Sequence, residues 1–188
     1  MPVLRNFHGW IGVYDEYNSE ILAMDRTLDH IDAAILGVLQ ENARTTQADI
    51  AKAVGLAPSA VLERIRKLEA KGVIREYVAA IDPHVANRAL LAFVAVRTNE
   101  FGPEQPAAKA LATIPEVLEI HHVAGEDCYL LKVRAKDAEH LGHLLRLQIA
   151  VVPGVTSTRT TIVLETVKET SRIPIVPGRP KERLQEAS

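Results

Sequence analysis

The chain has 188 residues, enough for one or two domains that each bury a core without covalent help. Lysine and arginine total 22 against 24 acidic residues, a formal charge of −2, so a polyanionic partner must be met by a local patch because the field of the whole molecule would not attract it. A single cysteine, Cys128, excludes an internal disulfide framework, and no apolar run approaches the roughly 18 residues that a membrane-spanning helix needs. The expectation is a cytoplasmic protein with no membrane partner.

Residues 1–25 hold Phe7, Trp10, Tyr14 and Tyr17 without a helical or alternating period and read as an N-terminal extension. They lack the sustained apolar stretch of a secretory leader. Met24 stands directly before the first capped helix, and a translation start there is the plain alternative to an extension.

Residues 26–82 read as a DNA-binding domain of helix-turn-helix type. Leu28, Ile31, Ile35, Leu36 and Leu39 recur at helical steps, with Asp29 and Asp32 in the first turns, where the helix dipole favours negative charge. A second helix starts after Thr45 or Thr46, either of which can cap it, and ends at Gly55. Pro58 opens a third, whose inward stripe is Val61, Ile65 and Leu68. Outside that stripe, Pro58 to Arg75 gathers Arg64, Arg66, Lys67, Lys71 and Arg75 against only Glu63 and Glu69. The segment Val73 to Ile81 (VIREYVAAI) is strand-like and suits a wing, and Asp82-Pro83 closes it.

After a hinge at 83–88, residues 89–168 read as a second domain. Strands are predicted at 89–97, 117–123, 129–135 and 155–167, with helices at 104–113 and 137–150. That order is the βαββαβ of a ferredoxin-like domain, so the whole chain is assigned to the α+β class, a winged helix-turn-helix followed by a ferredoxin-like unit. The first strand is apolar at consecutive positions from Leu90 to Val96, which asks for burial on both faces and points to a second subunit. Residues 169–188, with three prolines and many charges, read as a mobile or draping tail.

A helix that enters the major groove of DNA, about 12 Å wide, needs small residues at its start and donors on its outward face. Gln47, Ser59, Ala60, Glu63, Arg64, Arg66, Lys67 and Lys71 are the candidates for that contact. The plain alternative is a helical hairpin with a solvated charged face.

The same residues resemble a family. LDHIDAAIL at Leu28 to Leu36, Ile50-Ala51 before VGL, and RIRKLEAKGVI at Arg64 to Ile74 are similar to the DNA-binding half of the Lrp/AsnC, or feast/famine, transcriptional regulators. VAGEDCYLLKVR at Val123 to Arg134 and PGVTSTRTTIVLETVK at Pro153 to Lys168 resemble the effector-sensing half. The resemblance covers about 26–168. It implies dimers assembling into octamers or similar discs that bend double-stranded DNA, and a small-molecule effector of amino-acid type held near the 121–129 loop at a subunit junction. Two departures stand out: Ala57 replaces the serine that usually caps the recognition helix, and Cys128 stands where the family usually has an acidic residue.

The loop HHVAGEDCY, residues 121–129, invites metal or nucleophile readings. Both are weak, because the adjacent His121 and His122 point to opposite faces of a strand and no second cysteine completes a site. The preferred reading is a small-molecule pocket formed by His122, Ala124, Gly125, Glu126, Asp127, Cys128 and Tyr129, with the hydroxyls of Thr158 and Thr160 on the last strand. An ordinary polar turn, and threonine simply as a good strand residue, are the plain alternatives. The resulting expectation is an amino-acid-responsive, sequence-specific transcriptional regulator that uses no metal or cofactor, is not an enzyme and acts through a change of assembly. The rival is a stand-alone ferredoxin-like metabolite-binding or catalytic domain whose helical N-terminus serves only assembly.

Overall fold

The computed structural model describes residues 28–100, 104–125 and 127–176; the extension at 1–25, Glu126 and the end of the tail lie outside them. The chain divides into two units, one of residues 1–78 with 171–188 and one of 79–170.

In the first unit, helices α1 (His30–Glu41), α2 (Gln47–Val54) and α3 (Pro58–Ala70) close around Ile35, Ile50, Ala51, Val61 and Ile65. Local chemistry sets each boundary. Asp29 caps α1 by accepting from the Asp32 N–H at 2.7 Å. Thr46 caps α2 by accepting from the Asp49 N–H at 3.2 Å and donates back to the Asp49 carboxylate at 2.6 Å. Gly55 ends α2 at φ 69°, a left-handed conformation that an L side chain adopts only with strain. Ala57 stands at the N-cap of α3 with no side-chain bond to the helix, as its methyl group requires.

The strand expected at Val73–Ile81 does not form: no ladder runs through 75–82, and Tyr77, Val78 and Ile81 are exposed. A strand needs a neighbour for its N–H and C=O groups, and the described residues place none beside it. One anchor is the Tyr77 hydroxyl, which donates to Glu69 at 2.9 Å; partial desolvation and then that carboxylate push it up to about 12. The start of the tail belongs to this unit: Gln40 exchanges two hydrogen bonds with the backbone of Ile173, at 2.7 and 3.0 Å, and Arg172 pairs with Glu41 at 2.6 Å.

In the second unit, β1 (Leu90–Thr98), α4 (Pro106–Leu111), β2 (Val117–His122), β3 (Tyr129–Ala135), α5 (Ala138–Leu144) and β4 (Val155–Ile162) build a four-stranded sheet in the order β2-β3-β1-β4. Every pairing is antiparallel. Alternation on β3 sends Tyr129, Leu131, Val133 and Ala135 into a core with Ala92, Val94 and Val96 of β1, roofed by Leu111, Leu141 and Leu144 of the helices. The predicted helix at 137–150 is α5 followed by a π-helical turn at Leu145–Ile149, which brings Ile149 onto the buried face. The last strand ends at Ile162, short of the expected 167.

The other face of the sheet carries Leu91, Phe93, Ala95 and Arg97 of β1 beside Leu130, Lys132 and Arg134 of β3 and Ser157, Arg159 and Thr161 of β4. Leu91 and Ala95 are buried, while Phe93 stays 36% exposed. A charge ladder crosses this face: Lys132 bridges Glu119 and Glu169, and Arg134 donates to Glu169 at 3.0 Å.

Candidate functional site

Two sites were expected, one in each unit. In the first unit, the turn at Gly55 swings α3 so that Val61, Ile65 and Leu68 face the core. Ser59, Glu63, Arg66 and Lys67 are then left exposed, Ala60 is half-buried, Lys71 is exposed at the helix end and Gln47 at the start of α2. Lys67 pairs loosely with Glu63 one turn earlier, at 3.4 Å between exposed groups, a contact that DNA phosphate can outcompete. These side chains form an outward polar face with cationic donors along one helix.

Arg64 does not belong to that face. Its Nη1 lies 2.7 Å from both Asp29 and Asp32, and the side chain is only 31% exposed. Hydrogen bonds to Asp29 and then Asp32 hold the guanidinium above its ordinary pKa. Desolvation pushes the Asp29 carboxyl up, but the Asp32 N–H and Arg64 outweigh it and hold it below the usual carboxylate range. Arg64 thus ties α3 to the first turn of α1. Helical spacing alone put it outside the apolar stripe, and the signal that could have found its partners is the acidic pair that opens α1.

In the second unit, the 121–129 turn joins β2 to β3, and Val123 N–H donates to the Cys128 carbonyl at 3.0 Å. Gly125 sits at φ 128°, where a side chain would be strained. His122 lies against Tyr129, with ring centroids 5.3 Å apart. Tyr129 itself is a core residue at 4% exposure, its hydroxyl pushed up first by burial and then by Glu100. The half-buried Cys128 thiol lies against the Thr98 backbone, 3.5 Å from its N–H. Ala124 is exposed, and Glu126 lies outside the described residues.

Asp127 is paired, but with neither threonine expected beside it. Its carboxylate accepts from Arg159 Nη2 at 2.6 Å. Thr158 lies opposite Val96 and Thr160 opposite Val94, which puts both on the helix-covered face, whereas Arg159 and Ser157 share the other face with Arg97. The period of two separates Thr158 and Thr160 from Arg159. Together Arg97, Asp127, Ser157 and Arg159 line a cavity of about 470 Å³. Three of its four lining residues were missed in the sequence; the available signal was an arginine flanked by threonines on a strand that pairs with an apolar one. Among the described residues no cluster of histidine, cysteine or carboxylate groups could hold a metal ion, and no helix is long and apolar enough to cross a membrane.

Known proteins repeat both halves. Residues 28–75 match the winged helix-turn-helix DNA-binding model, and residues 91–173 match the Lrp/AsnC ligand binding domain. An HTH-type transcriptional regulator of Pyrococcus horikoshii is 40% identical over 148 residues, covering 79% of this chain and 97% of its own length. The leucine-responsive regulatory protein of Escherichia coli is 38% identical over 152 residues, covering 80% of this chain and 93% of its own. Among solved structures, a transcriptional regulator from Neisseria meningitidis in complex with L-methionine superposes with a TM-score of 0.71 at 34% identity, covering 79% of this chain and 97% of its own. A feast or famine regulatory protein from M. tuberculosis complexed with L-methionine gives 0.72 at 36%, covering 77% and 97%. With both family models matched in order and the fold shared, this chain belongs to the Lrp/AsnC family of transcriptional regulators.

Proposed function

We propose that the protein binds specific double-stranded DNA sites through α3 and that its 79–170 unit senses an amino acid or related small metabolite, the ligand shifting the assembly between states with different spacing of the DNA-binding heads. The observation that carries the DNA half is the exposed face of Ser59, Glu63, Arg66 and Lys67, which follows directly on the left-handed turn at Gly55. That is the geometry a helix needs to enter a major groove, with Gln47 and Lys71 flanking it and Arg64 bracing it from behind. The ligand half is supported by relatives solved with L-methionine, and by the turn at 124–129 lying next to a polar cavity. Assembly into dimers and then octamers is part of the same reading, and its first step is supported by Phe93, an aromatic left 36% exposed on the sheet face away from the helices. The protein acts by binding rather than by catalysis, and ligand and DNA affinity are then reciprocally coupled.

Gel retardation of the gene's own upstream DNA, over a salt series and with each amino acid added, tests this reading. Retardation that weakens in the double variant Arg66→Ala, Lys67→Ala and responds to a small molecule is the expected result. Equal affinity of wild type and double variant at every salt concentration would remove α3 from the interface.

A further inference from the structure

The outward face of α3 holds an acid at its centre, where a surface that meets a polyanion would be expected to hold cations. At about 3.6 residues per turn, the direction opposite the inward stripe of Val61, Ile65 and Leu68 falls between Ser59 and Glu63, with Arg66 to one side and Lys67 to the other. The remaining charges of the helix are engaged within their own unit: Arg64 on Asp29 and Asp32, and Glu69 as acceptor from the Tyr77 hydroxyl. Glu63 is 60% exposed and lies in the first half of the helix, the part that meets base edges when a recognition helix enters the major groove. Ser59, one turn earlier, and the half-buried Ala60 are small enough to let the backbone approach the groove floor.

A carboxylate repels the phosphate walls of the groove, and its gain lies on the floor. There cytosine presents an N4–H₂ donor, whereas adenine sets N7 beside its donor, guanine shows N7 and O6, and thymine shows O4, all acceptors that oppose carboxylate lone pairs. From this arrangement we propose that Glu63 is a specificity-determining residue that accepts a hydrogen bond from cytosine N4, so that the DNA site carries a C·G pair at the position it meets. Arg66 and Lys67 flank it at the height of the phosphates, and the Lys67 ammonium, 3.4 Å from the Glu63 carboxylate in the free protein, offsets part of the repulsion. Over any other base pair the carboxylate is desolvated without a donor, which weakens binding to the wrong sequence. The proposal rests on the reading of α3 as the DNA-binding helix and names the base that this helix selects.

Selection of bound duplexes from a random-sequence pool by the full chain tests it, for wild type, Glu63→Ala and Glu63→Gln, followed by competition on the wild-type site with each of the four base pairs at every position. Wild type is expected to require C·G at one position, with a loss of roughly tenfold for any other pair. Glu63→Ala should level that position alone. Glu63→Gln should turn it to A·T, because an amide accepts from adenine N6 and donates to N7. Both variants should hold random-sequence DNA more tightly than wild type at low salt, since one repulsion is gone. Glu63 is exposed, so both should melt with wild type, and a thermal scan checks this. Identical base preferences in all three proteins overturn the proposal and leave α3 as the DNA-binding helix. An affinity loss spread evenly over the site in folded variants also overturns it, since Glu63 would then position the helix without reading a base. If wild type enriches no sequence from the pool, the proposal and the DNA-binding reading fall together.

Discussion

Arg64 illustrates why an outward helical position is not yet a DNA contact. A guanidinium is long enough to turn back, and two carboxylates wait at the start of α1 where the cap and the dipole already favour them. Removing it should cost stability before affinity: Arg64→Ala should lower the unfolding free energy by about 1 kcal/mol, a charged hydrogen-bond value discounted for the exposure of the pair. Denaturant titration measures this, and an unchanged midpoint would show that the pairs contribute nothing. Arg66→Ala or Lys67→Ala should leave the midpoint in place and lower the slope of log affinity against log salt by about one if the residue meets a phosphate. The ladder on the open sheet face makes a pH prediction. His121 and then Lys132 hold Glu119 below its ordinary 4.5, and Lys132 does the same first of all for Glu169. A carboxylate depressed in the folded state stabilises above its unfolded value and loses that contribution as pH falls through the lower, folded one. Thermal midpoints should therefore decline below about pH 4.5, and Lys132→Met should flatten that decline.

At the scale of elements, the boundaries set by local chemistry were legible and those set by neighbours were not. Thr46, Gly55 and Pro58 act within one turn of their own backbone, so the ends of α2 and the start of α3 could be placed from the residues alone. Ala57 leaves the N-terminus of α3 uncapped at a φ and ψ that serine accepts, so Ala57→Ser should stabilise by about 0.5–2 kcal/mol, read as a raised midpoint. Loss of the midpoint gain would mean that the orphan N–H groups are already satisfied by solvent. Leu131, fully buried at the centre of β3, should cost about 2–5 kcal/mol when cut to alanine. The end of β4 at Ile162 and the π-helical turn after α5 depend on which strand or core side chain lies alongside, and a linear pattern carries no such information.

For the molecule as a whole, the open sheet face leads to an expectation about assembly. Light scattering should find an even-numbered oligomer, and Phe93→Asp should shift it to smaller species, because Phe93 is the exposed aromatic on that face. A monomer at micromolar concentration would contradict this. By itself the sequence determined the α+β class and the order of strands and helices in the second unit, which follow from periodicity and caps that act over a few residues, and its motifs carried the resemblance to the family. Only the tertiary structure decided that Val73–Ile81 forms no ladder, that Arg64 faces α1, and that Asp127 meets Arg159 and not Thr158 or Thr160. The physical reason is common to all three. A strand, an ion pair and a cavity each need a partner distant in sequence, and which residue arrives there depends on sheet register and helix packing, where a shift of one residue exchanges one face for the other.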